Sequence, residues 1–287
     1  MEPTSRRIPG SHGISLHLLE WSDAGVPLLF LHGFGNEAHI WDDYAPEVAP
    51  FYRTLALDHR GHGRSEWDAE RRYDHDVMVD DVEAVTAALG VERLVMVGHS
   101  LGGRIATLFA GRHPERLAGL VLVDIGPELD ARGILRIRQE VEAQQAPRFG
   151  SIEEYARLLS LNFPAGRPDA LMRMARHELR QREDGLFELR MDPALRGLGA
   201  SESPEQAAAR ERAMSEAQWD ALAKIPCPTL VVRGAASDVL APETADRMVE
   251  EVLAAGRLAV VPQAGHSVMT DNPDGFRDAV NAFVLSG

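Results

Sequence analysis

The sequence predicts an α/β chain: a mostly parallel sheet with helices on both faces and an inserted helical cap. Three observations lead there. Short runs rich in Val, Leu and Ile alternate with stretches of helical spacing, and the runs lack the polar alternation of a strand with one wet face. Those runs stop near Val123 and resume only at Pro228, with an Arg- and Glu-rich stretch between them. At 287 residues the chain suits one large domain or a domain that carries an insertion.

Strands are expected over residues 14–21, 26–31, 54–57, 94–97 and 120–123, the later ones each ending before a turn that bears Gly or Asp. Between the third and fourth, Val77, Val82, Val85 and Leu89 repeat at helical spacing, and Gly90 follows where a helix commonly ends. A second helix opens after Ser100 and runs to about His113, where Pro114 stops it. Residues 127–224 form the predicted cap, with helices over 133–145, 152–161 and 169–182 and a loop over 197–209. The core, residues 1–126 and 225–287, resumes with strands at 228–233 and 257–261 and helices at 242–255 and 273–285.

Acidic residues outnumber basic ones 44 to 30, and most of the resulting charge of −14 falls on the core. Such a surface repels phosphate backbones and anionic lipid, so neither nucleic acid nor membrane is expected as a partner. Cys227 is the only cysteine, which excludes an intrachain disulfide and a cysteine metal cluster. Residues 1–25 mix Arg6, Arg7, Glu20 and Asp23 with short apolar runs, unlike an export signal, and the longest apolar runs are strand length. The expectation is a soluble, cytoplasmic protein, its oligomeric state undetermined.

The chemistry concentrates at Gly98-His99-Ser100-Leu101-Gly102-Gly103, between a strand and a helix. A sharp strand-to-helix turn there pushes the Ser100 hydroxyl out at the carboxyl edge of the sheet and aims a helix N-terminus at the place where negative charge would develop. A serine nucleophile needs a base, and His266 follows the apolar run that ends at Val261. The base needs an acid, for which two aspartates sit just past strands. Asp238 is the preferred acid and Asp124 the alternative, better suited to anchoring the start of the cap. The backbone amides of Leu101 and Phe34 are the expected oxyanion donors, the latter from the loop His32-Gly33-Phe34-Gly35-Asn36, which His32 would brace. Trp41, His99, Leu161, Phe163, Trp219 and Met269 are candidates to line a substrate pocket beneath the cap, where Arg176 or Arg180 could meet a carboxylate. No His-Glu-x-x-His or Gly-x4-Gly-Lys string is present, so neither a metal nor another cofactor is implied.

With Asp58-His59-Arg60-Gly61-His62-Gly63-Arg64-Ser65, Ser237-Asp238 and Gly265-His266, these motifs resemble the α/β-hydrolase superfamily, in its capped esterase and C–C hydrolase-like branch. The resemblance implies eight strands, a variable cap after the sixth, no cofactor, and a structural role for residues 58–65. Ser100 separates the chain from haloalkane dehalogenases and epoxide hydrolases, which carry Asp at that point. The expected activity is hydrolysis of a small carboxylic ester or lactone through an acyl-enzyme. The alternatives are hydrolysis of a C–C bond in a dienoic ketoacid and a slow-turnover ligand receptor.

Overall fold

The computed structural model describes residues 1–133, 136, 147–198 and 202–285. In chain order the strands are β1 (Thr4–Pro9), β2 (Ser15–Glu20), β3 (Val26–Leu31), β4 (Tyr52–Asp58), β5 (Leu94–His99), β6 (Leu117–Val123), β7 (Arg148–Phe149), β8 (Leu179–Gln181), β9 (Phe187–Leu189), β10 (Thr229–Gly234) and β11 (Gly256–Val261). The helices are α1 (Ala45–Val48), α2 (His75–Ala88), α3 (Leu101–Arg112), α4 (Ile152–Asn162), α5 (Pro168–Glu178), α6 (Pro204–Leu222), α7 (Pro242–Arg247), α8 (Val268–Asp271) and α9 (Pro273–Val284).

Eight strands form the main sheet in the order β1-β2-β4-β3-β5-β6-β10-β11. β1 with β2 and β2 with β4 are antiparallel, and every later pair is parallel. The strand period of two sends alternate residues to opposite faces. Leu29, Leu31, Met96, Leu120 and Leu122 join the apolar cluster that includes Val79, Val82, Ile105 and Phe109 of α2 and α3. Leu28, Phe30, Val97, Val121 and Val123 join the opposite cluster with Trp41, Phe276 and Val280. Both faces are covered, which is why the central runs are apolar at every position rather than at every second one.

The helix predicted from Val77, Val82, Val85 and Leu89 corresponds to α2, which Asp74 caps by accepting the Val77 amide at 3.1 Å. Several expectations fare differently. β1 has no counterpart among the predicted strands: only Ile8 of its six residues is buried, so it carries no hydrophobic pattern. The segment read as purely helical holds a small antiparallel sheet, ordered β7-β9-β8. These strands have two or three residues each, and β8 takes the end of the helix expected over 169–182. The expected loop at 197–209 contains the start of α6, where Ser203 and Gln206 form a reciprocal capping box and Pro204 occupies the first turn. The helix expected over 133–145 lies, save for Gly133 and Arg136, outside the described residues. Past α7, the helix expected to reach 255 continues only as a π turn, Met248–Val252.

The elements between β6 and β10 join the apolar clusters and also make polar contacts with the connections after β3 and β4 and with α3. Arg173 of α5 pairs with Asp43 at 2.5 Å, His177 stacks on His39 at 3.5 Å, and Trp67 Nε1 donates to the Arg190 carbonyl at 2.9 Å. Gln218 Nε2 of α6 donates to the Arg104 carbonyl of α3 at 3.0 Å. Among the described residues no helix is long and apolar enough to cross a membrane.

Candidate active site

β5 runs into α3 through Ser100, whose φ of 49° and ψ of −115° are strained for a residue with a side chain. The turn closes only without side chains beside it. A Cβ on Gly98 would lie 2.5 Å from the Gly102 carbonyl oxygen, and one on Gly102 would lie 2.3 Å from that of Leu31. The strain and crowding hold the hydroxyl at the carboxyl edge of the sheet, over the α3 N-terminus.

Ser100 Oγ lies 3.0 Å from His266 Nε2, and His266 Nδ1 lies 2.9 Å from Asp124 Oδ2. Asp124, fully buried at the end of β6, also accepts from the Gly234 amide at 2.9 Å and the Ser237 hydroxyl at 2.6 Å. Three donors on one carboxylate fix its orientation, and a buried carboxylate against Nδ1 sets the imidazole so that Nε2 faces the serine.

Asp238, the preferred acid from sequence, is not the residue beside His266. Its carboxylate is held bidentately by Arg136, with Nε to Oδ2 at 2.7 Å and an Nη to Oδ1 at 2.8 Å. That guanidinium holds the Asp238 carboxyl below its usual range. What the Ser237-Asp238 string contributes at the histidine is the serine. Ser237 also accepts from the Val239 and Leu240 amides, so its hydroxyl proton is directed to Asp124.

Leu101 is the first residue of α3, so its amide has no intrahelical acceptor. The opposing loop is braced as expected of His32: its Nδ1 donates to the Gly33 carbonyl at 2.8 Å and its Nε2 accepts from the His59 amide at 3.0 Å. Burial first, then the neighbouring His59 and His62, hold His32 well below the usual imidazole range, so it stays neutral. His99 Nε2 donates to the His266 carbonyl at 3.0 Å, and burial lowers His99 to about 3.

A cavity of about 720 Å³ opens over Ser100 and His266. Phe34, His99, Leu161 and Phe163 line it, as the sequence suggested. Trp41, Trp219 and Met269 do not. Trp41 is fully buried against Phe30 and Phe276, Met269 is buried in the same cluster, and Trp219 packs under the Arg247 guanidinium. Arg180 stands outside the cavity and pairs with Glu188; Arg176 does not line it either.

Sequence reasoning missed Glu178, which lines the cavity while almost wholly buried, its Oε2 accepting from the Tyr155 hydroxyl at 2.5 Å. The signal was available, since Leu171, Met174 and Ala175 form an inward stripe on α5 whose next position is 178. Burial pushes Glu178 up to about 7. The folded chain therefore keeps a proton that the unfolded chain releases near 4.5. Stability from this group is fully present below about pH 4.5 and declines as the pH rises toward 7. Glu178→Gln keeps an acceptor for Tyr155 and removes the charge. Its melting temperature is expected to gain on the wild type between about pH 5 and pH 8, equivalent to up to about 3 kcal/mol. Parallel melting curves across that range would contradict this account.

His39, Asp42 and His177 present nitrogen and oxygen atoms within 4.8 Å of one another. The two rings are stacked 20° from parallel and Asp42 already faces Arg173, so the in-plane lone pairs do not converge as a metal site requires. None of the three lines the cavity.

A family model described as the alpha/beta hydrolase fold matches residues 26–273. The chain belongs to the alpha/beta hydrolase family. Within it, the chain is 33% identical over 270 residues to a 3-hydroxybutyrate-oligomer hydrolase of Cupriavidus necator, covering 90% of this chain and 88% of that one. It is 31% identical to a 2-hydroxymuconate semialdehyde hydrolase of a Pseudomonas species, over 92% of this chain and 88% of the relative. An alpha/beta hydrolase of Novosphingobium aromaticivorans superimposes with a TM-score of 0.81 at 29% identity, over 98% of this chain and 97% of the other. Its relatives are thus named as hydrolases of a 3-hydroxybutyrate oligomer and of 2-hydroxymuconate semialdehyde.

Proposed function

We propose that the protein is a serine hydrolase of small carboxylic esters or lactones, working through an acyl-enzyme beneath a cap formed by residues 127–224. Ser100 Oγ adds to the substrate carbonyl carbon as His266 Nε2 takes its proton. Asp124 holds the Nδ1 proton and stabilises the imidazolium. The Leu101 and Phe34 amides donate to the oxyanion. The tetrahedral species collapses, His266 returns the proton to the leaving alcohol, and water repeats the sequence on the acyl-enzyme to release the acid and restore Ser100.

The unbroken chain of contacts from Ser100 Oγ through His266 to Asp124 carries this reading. The mostly apolar cavity walls, among them Leu159, Phe163, Leu189 and Met191, suit a short acyl or hydroxyacyl chain. The 33%-identical relative directs the first trial to linear 3-hydroxybutyrate dimers and trimers.

Labelling with a fluorophosphonate and peptide mapping tests the nucleophile, and label is expected on Ser100. Turnover is then compared on p-nitrophenyl butyrate, a 3-hydroxybutyrate dimer, a γ-lactone and a dienoic ketoacid. Exclusive turnover of the ketoacid would replace the ester reading with C–C hydrolysis. Ligand binding without any turnover above Ser100→Ala would make the protein a receptor.

A further inference from the structure

Four guanidinium groups, from Arg7, Arg64, Arg180 and Arg190, line a second, smaller cavity of about 340 Å³ together with Glu66 and Trp67. In a chain of net charge −14 such a gathering runs against composition. Among the described residues, Arg180 is the only one of the four with a carboxylate partner, Glu188 at 2.8 Å, and its guanidinium also covers the Trp67 ring at 4.5 Å. Among the described residues, Arg7 and Arg190 make side-chain hydrogen bonds only to backbone carbonyls, those of Ser15 and Leu179. Among the described residues, no carboxylate lies within ion-pair distance of Arg7, Arg64 or Arg190. Glu66 is turned to the Ser15 amide at 2.9 Å. Burial, and then repulsion from Arg64 and Arg180, lower Arg190, and the distant Glu37 and Asp58 oppose this only in part. Four arginines are thus crowded into a concave polar site against one lining carboxylate, Glu66, and one paired from outside the lining, Glu188.

This cavity stands back to back with the catalytic one. Leu189 and Met191 line the catalytic cavity, and Arg190, between them in sequence and just past the end of β9, lines the arginine cavity. The Arg190 amide also donates to the Glu178 carbonyl at 2.7 Å, at the end of the helix that places Glu178 in the catalytic cavity.

We propose that the arginine cavity binds a small polyvalent anion of the phosphate or pyrophosphate class, and that its occupancy alters substrate affinity through the shared wall at residues 189–191. Guanidinium forks match the oxygens of such groups, and the cavity volume suits one or two phosphates. Arg180 already covers one face of the Trp67 ring, which leaves at most the other face for a nucleobase.

Calorimetric titration of the full chain with inorganic pyrophosphate in low salt tests the binding half without reference to catalysis. The expected dissociation constant is below about 1 mM. It should weaken at least about tenfold in Arg7→Ala/Arg64→Ala, a variant of two exposed side chains without ion pairs, and should weaken with added NaCl. No heat up to several times that concentration, or equal binding by the double variant, would overturn the site. An ADP affinity far above that of pyrophosphate would overturn the assignment to phosphate groups alone. For the coupling half, pyrophosphate should shift KM for p-nitrophenyl butyrate in the wild type and not in the double variant. Binding with KM unchanged would overturn the coupling and leave the site. Absence of esterase turnover, by contrast, bears on the proposed function and leaves the calorimetry intact.

Discussion

Asp124→Asn is expected to lower kcat for p-nitrophenyl butyrate by about 10⁴-fold, the cost of losing the correct imidazole tautomer, while Asp238→Asn stays within a few-fold of wild type. The difference follows from what each carboxylate touches. Asp124 faces His266 Nδ1, and its remaining acceptor capacity is taken by Gly234 and Ser237. An asparagine there must present its NH₂ either to His266 or to groups that are themselves donors. If it faces His266, the ring accepts at Nδ1 and carries its proton on Nε2, which then points a proton at the serine. Asp238 makes its bidentate contact with Arg136, and neither of those bonds passes through the histidine. Melting temperatures of both variants separate lost chemistry from lost fold. Comparable turnover losses in the two, or a larger loss at Asp238, would remove Asp124 from the proposed mechanism.

The pair also marks how far this site could be read in the sequence. Ser100 and His266 were legible because their surroundings are local: a strand, a turn whose glycines have no room for a Cβ, and a helix in one case, a loop after the last strand in the other. Choosing the acid was a long-range problem. Asp124 and Asp238 both follow strands, and those strands are neighbours, Val123 opposite Val232. What separates them is that β10 ends at Gly234, so Asp238 lies four residues beyond the edge, within reach of an arginine 102 positions earlier in the chain. No spacing rule encodes that contact.

A similar loss affected Trp41, Trp219 and Met269, since an apolar side chain on a core layer and one on a cavity wall have the same periodicity. Between β6 and β10, helices of eleven residues showed their stripe, whereas strands of two or three residues are too short to show a period of two. The start of α6 was hidden by its own capping chemistry. Ser and Pro at a helix N-terminus are also the residues of loops, and only the Ser203–Gln206 reciprocity tells them apart.

Arg60→Met should destabilise the fold by about 3–5 kcal/mol, the cost of leaving buried charge without its partner. Arg60 is fully buried in the loop between β4 and α2. Its Nε and an Nη reach both Asp81 oxygens at 2.6 and 2.7 Å, a second Nη meets Asp68 at 2.8 Å, and the Ser11 hydroxyl completes the set at 2.8 Å. One guanidinium thus joins the turn between β1 and β2, helix α2 and the loop itself. Methionine fills much of the same volume, so the loss is electrostatic rather than a cavity. Asp68 retains Arg72 at 2.8 Å and Asp81 retains Ser11, so Asp81 is the carboxylate left with too few donors. Removing that charge as well, in Arg60→Met/Asp81→Leu, should recover part of the stability, which a simple loss of packing would not allow. Urea unfolding reads the effect as a lower midpoint at unchanged slope. A loss below about 1 kcal/mol would show that water reaches Asp81 once the guanidinium is gone, and that the tie among these three elements is carried by their apolar contacts instead.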